Sequence, residues 1–122
     1  MLIATNGRGH VLKDPSKPEI GTMLADLHSG DHMILERQDE NRAGNWYVQV
    51  WFRDDTTYQL EYRDGVPAEH YQTQTQSVSQ EKVLQALLGW VDDKPAWRED
   101  FMWTSIGHWF TPAPEDEDNP TA

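Results

Sequence analysis

The run TYQLEYRDGVPAEHYQT, Thr57 to Thr73, holds the residues whose types and spacing come nearest to chemistry. Read as a hairpin with Tyr62 opposite Tyr71, it sets Arg63 beside His70 and Glu61 beside Gln72 on one face. A carboxylate, a guanidinium and an imidazole about one residue step apart are the parts of a proton relay. The guanidinium favours the charged carboxylate, and histidine titrates near neutrality. The same three residue types are also the ordinary occupants of a wet sheet face, and that reading is preferred. No catalytic residue is expected.

Other chemistries have less to stand on. His10, His28, His32, His70 and His108 are scattered along the chain and read as isolated surface or half-buried imidazoles. No metal ligand and no cofactor is expected. The chain has no cysteine, which removes disulfides, thiolate metal sites and thiol nucleophiles. No serine stands in a Gly-x-Ser-x-Gly turn. NGRGH, residues 6–10, lacks the lysine of a phosphate loop and reads as a connection between a first strand and a first helix.

These residues need elements to position them. Ile20, Met23, Leu24 and Leu27 recur at helical spacing, with Ser16 as N-cap, Pro18 early and Gly30 as a stop. The runs HMILER, WYVQVWFR, TYQLEYR and HYQTQT read as strands bounded by turn formers. Trp46, Val48, Val50 and Phe52 alternate with Tyr47, Gln49, Trp51 and Arg53, the period of a sheet with one buried face. If the valines face the core, Tyr47 and Trp51 face away from it. They then form an interaction surface, unless the aromatic segment with Trp103 and Trp109 folds over them.

Val83, Leu84, Leu87, Leu88 and Val91 form the stripe of a second helix, capped by Ser79 or Ser77. The segment from Lys94 to Phe110 then reads as a turn and a short strand or irregular stretch packing aromatics on the core. The sum is an α+β fold: an antiparallel sheet of about four to six strands with two helices packed on one face. Residues 1–110 make one domain, and 111–122 are expected to be a disordered acidic tail.

At 122 residues, with 37% hydrophobic residues, the core is modest, and six tryptophans enlarge it. Twenty-one acidic residues against ten basic ones give a formal charge of -11. That sign opposes nucleic acid and anionic membranes, and it either attracts a basic protein partner or serves solubility alone. With no apolar run of membrane length and no secretory signal, a cytoplasmic location is expected.

LEYRDGVPAEHYQT, followed by VLQALLGWVDDKPAWREDFMWTSI, resembles small acidic actinobacterial proteins of the first numbered family of polymorphic-toxin immunity proteins. The likeness spans roughly residues 31–110. It rests on Tyr62-Arg63-Asp64-Gly65, His70-Tyr71, Trp90, Trp97 and Trp103. It implies a non-enzymatic binder that neutralises a toxin by occupying its active site or substrate path. Physical reading of the residues adds a surface for that partner. Tyr47 and Trp51 serve as aromatic anchors, Glu61, Asp64 and Glu69 near the hairpin tip mimic phosphates, and Arg63 and His70 lie beside them. The alternative is a structural or regulatory accessory module of a cytoplasmic complex, homodimeric through the aromatic sheet face.

Overall fold

The computed structural model describes residues 1–111, so the expected tail lies almost wholly outside the described residues. Seven strands make one antiparallel sheet: β1 (Leu2–Asn6), β2 (Val11–Lys13), β3 (His32–Arg37), β4 (Asn45–Phe52), β5 (Tyr58–Gly65), β6 (His70–Thr73) and β7 (Trp103–Ser105). Their order across the sheet is β2-β1-β3-β4-β5-β6-β7. Helix α1 (Lys17–Ala25) joins the β2 edge back to β3, and α2 (Gln80–Val91) joins β6 to β7. Two 3-10 segments, Pro95–Asp100 and Gly107–Trp109, flank β7.

The α+β class and the antiparallel sheet are as expected, whereas the strand count is seven rather than four to six. One added strand is β2, because NGRGH is not a plain connection but the turn of a hairpin. Leu2, Ile3, Ala4, Thr5 and Asn6 are consequently interior to the sheet rather than at its edge, paired with β2 on one side and β3 on the other. The short strand expected in the aromatic segment is β7, whose three residues pair with β6.

Local signals explain the helix starts. Ser16 accepts from the Glu19 amide and Glu19 accepts from the Ser16 amide, a reciprocal cap that satisfies two orphan donors at the start of α1. Ser79 caps α2 by accepting from the Lys82 amide. Helix α1 ends at Ala25, short of the Gly30 stop, yet Leu27 is still buried.

Both helices lie on one face. Ile20 and Leu24 of α1 and Val83 and Leu87 of α2 meet Leu35, Val48, Val50 and Leu60 from the strands. Each such side chain contributes about 1.5–3 kcal/mol on burial. At the far end Tyr62 meets Trp97 and Trp103 edge-on, at 5.4 and 4.8 Å between ring centroids. Trp103 therefore belongs to the helix-side core and does not cover the opposite face.

The β5–β6 register is Tyr62 opposite Tyr71, with Glu61 opposite Gln72 and Arg63 opposite His70. The Leu60 amide donates to Thr73 Oγ1 at 3.2 Å. The tip is Gly65 to Ala68, closed by the Asp64 amide donating to the Glu69 carbonyl. Gly65 turns with a φ of +86°, and a Cβ there would lie 2.9 Å from the Trp46 ring. Only glycine satisfies both demands at that corner.

Candidate functional site

Alternation along the strands decides which side chains share the helix-free face. From β3 come His32, Ile34 and Glu36; from β4, Tyr47, Gln49 and Trp51; from β5, Gln59, Glu61 and Arg63; from β6, His70 and Gln72. Neither α1 nor α2 packs on this face.

At one end of it the hairpin partners form a closed polar network. His70 is wholly buried, at 0% exposure. Its Nε2 lies 2.6 Å from Glu61 Oε2, and Arg63 Nε donates to its Nδ1 at 3.0 Å. Because an Arg N–H points at Nδ1, that nitrogen presents its lone pair. The ring proton therefore sits on Nε2 and is donated to Glu61. Tyr47 places its hydroxyl 3.5 Å from the same Nδ1, at the limit of a hydrogen bond. Burial pushes the Tyr47 phenol up, a rise that Arg63 partly offsets.

The cover is the C-terminal 3-10 turn, Gly107–Trp109, and Phe110 beyond it. The Ile106 amide donates to the His70 carbonyl at 2.9 Å, which brings the chain back over the hairpin. Any Cβ at Gly107 would run into the Ala68 carbonyl, so the turn and the hairpin tip touch backbone to backbone. Phe110 then lies 4.3 Å from the His70 ring centroid, and the Arg63 guanidinium stands 4.9 Å from the Phe110 centroid. Arg63 is thus held between Phe110 and Tyr47, whose centroid is 5.6 Å away. With the ring buried and both nitrogens engaged, no substrate atom reaches His70 in this conformation.

The other end of the face is open. Trp51 stacks on His32, with ring planes 10° apart, and Arg53 lies 4.5 Å over the indole. Asp55 Oδ1 lies 3.9 Å from the Nε of that arginine, and the Phe52 amide donates to the Asp31 backbone carbonyl. The Asp31 carboxylate itself is turned to Arg8 and the His28 amide. On the face itself Lys13, Arg53 and Arg63 stand against Glu36 and Glu61, so its charge nearly balances. The acidic excess of the chain therefore lies off this face.

Four of the seven residues read as a partner surface, Tyr47, Glu61, Arg63 and His70, come together in the covered network. Trp51 is apart from them at the open end. Asp64 faces the helix side, where its carboxylate accepts from Arg98 Nη2 at 2.8 Å. Glu69 accepts the Tyr71 hydroxyl at 2.9 Å. The three carboxylates grouped near the tip therefore point in different directions, and each already has a partner within the chain. Phe110 has no individual signal in the sequence; only the aromatic density of residues 101–110 hinted at a cover.

Among the described residues no group of three or more His, Cys, Asp or Glu is placed to hold a metal ion. No helix there is long and apolar enough to cross a membrane. Comparisons with protein-family models, with curated proteins and with solved structures each return no match.

Proposed function

We propose that the protein is a non-enzymatic binding module that docks a basic protein partner, in the manner of a toxin-neutralising immunity protein, with the open end of the helix-free face. The observation that carries this reading is the position of Trp51. It is a large aromatic on a sheet face that neither α1 nor α2 covers, stacked on His32 and under Arg53, with Asp55 beside that arginine. An aromatic anchor on an open sheet face suits a partner with an apolar spot of its own. The overall charge of -11 adds long-range attraction for a basic partner. On this reading Glu61, Asp64 and Glu69 are structural.

The test is affinity capture from a lysate of the source cells at low salt, with wild type and a Trp51→Ala variant side by side. The expected result is one basic protein retained by wild type, released as salt rises, and lost from the variant. Equal recovery on both columns, or release independent of salt, contradicts the reading. The alternative, a homodimeric accessory module, draws support from the same half-buried aromatic. It predicts a dimer that persists at high salt and is lost in Trp51→Ala.

A further inference from the structure

On the helix side of the sheet, away from Trp51 and His70, the β1–β2 hairpin and one flank of α1 enclose a groove of about 600 Å3. That volume is in the range of small-molecule sites. Its walls divide by chemistry. Leu12, Pro18 and Met23 give it an apolar body. Asn6 and Arg8 bring donors from the hairpin, while Glu19 and Asp26 bring carboxylates from the helix.

Asn6 is the telling residue. It is only 6% exposed, and its Oδ1 accepts from both the Arg8 and the His10 amides at 3.0 Å. Those two bonds fix the orientation of the amide, so the assignment of oxygen and nitrogen is not free to flip. The amide nitrogen, which carries two hydrogens, then has no protein acceptor among the described residues, and Asn6 lines the groove. The nitrogen reaches the solvent of the groove, where the acceptor of a bound ligand can replace water.

Arg8 is held beside it. Its Nη2 donates to the Asp26 carbonyl at 2.9 Å, its Nη1 lies 3.3 Å from His28 Nε2, and its Nε lies 3.4 Å from Asp31. Each Nη carries a second N–H beyond these contacts, so the guanidinium is positioned with donors to spare. A ligand filling the groove meets a cation and an amide donor at the hairpin end, carboxylates at the helix end, and apolar side chains between.

We propose that this groove binds a small zwitterion of the amino-acid type with an apolar side chain. Its carboxylate takes the Asn6 amide and Arg8, its ammonium faces Asp26 and Glu19, and its side chain lies on Leu12, Pro18 and Met23. This site shares no residue with the partner-docking face, so either stands or falls alone.

The probe is L-phenylalanine, titrated into the full chain and followed by two-dimensional amide NMR. Its truncated forms, 3-phenylpropanoate without the ammonium and 2-phenylethylamine without the carboxylate, run in parallel. L-Phenylalanine is expected to give saturable shifts at Asn6, His10 and Thr22, with each truncated form weaker by about tenfold or more, the size of one charge-assisted hydrogen bond. Asn6→Asp keeps the acceptor that holds the turn but replaces the donor. It should weaken L-phenylalanine and 3-phenylpropanoate by about tenfold and spare the amine. Asp26→Asn, at an exposed helix end, should do the reverse and keeps the test valid if Asn6→Asp does not fold. No saturable shift at these residues overturns the proposal. So does a truncated form binding as tightly as L-phenylalanine, or indifference to both substitutions.

Discussion

Glu61 and His70, nine residues apart in sequence, meet at 2.6 Å because the β5–β6 register makes them diagonal neighbours on one face. Arg63 fills the other side of the imidazole and fixes its tautomer. Long-range nitrogen–proton NMR of the histidine rings should therefore show His70 with its proton on Nε2. A proton on Nδ1 would contradict the network.

Removing the imidazole leaves Glu61 and Arg63 without their buried partner. His70→Ala is expected to destabilise the fold by about 2–4 kcal/mol. A domain of this size should then melt ~10 °C lower or more, as read by calorimetry. A loss below about 1 kcal/mol would mean that the network is wet and contributes little.

Phe110 shields this network while remaining 42% exposed itself. Phe110→Ala should cost only about 1 kcal/mol, since the ring is partly in water already. Even so, it should speed modification of His70 by diethyl pyrocarbonate by about tenfold, a change of about 1.4 kcal/mol in the cost of exposing the ring. An unchanged rate would show that other groups, not Phe110, close the site.

All four tyrosines titrate above their ordinary range. Burial raises Tyr47 and Tyr58 and pushes Tyr62 up to about 12, while for Tyr71 the larger cause is its hydrogen bond to Glu69. A raised folded-state value means that the unfolded chain loses these protons first. Their contribution to stability is complete below about pH 10 and is lost as pH rises through the folded values. Absorbance at ~295 nm should show little phenolate at pH ~10 in the folded protein, followed by a cooperative rise with unfolding. Four tyrosines ionising at about pH 10 with the fold intact would contradict the packing.

The central hairpin was legible because two independent patterns agree there. Apolar alternation in β4 and β5 chose the buried face, and the Tyr62–Tyr71 pairing chose the register. Strand β2 was not legible. Val11, Leu12 and Lys13 are too few to show a period, and their pairing with β1 depends on the turn between them. In the site, alternation alone separates Glu61 and Arg63 from Asp64, which is one residue out of phase and goes to Arg98. Grouping the three by nearness in sequence overlooked that parity. The Phe110 cover depends on the chain returning from β7 through Gly107, a tertiary event that local composition does not encode.

The measurement that tests the docking surface most directly is oxidative footprinting of Trp51, in the free protein and in the complex recovered by capture. Trp109, 61% exposed on the cover, serves as an internal control. The account predicts that Trp51 reacts readily when free and is protected when bound, while Trp109 changes less. Equal labelling of Trp51 in both states, with protection moved to the helix side, would contradict it.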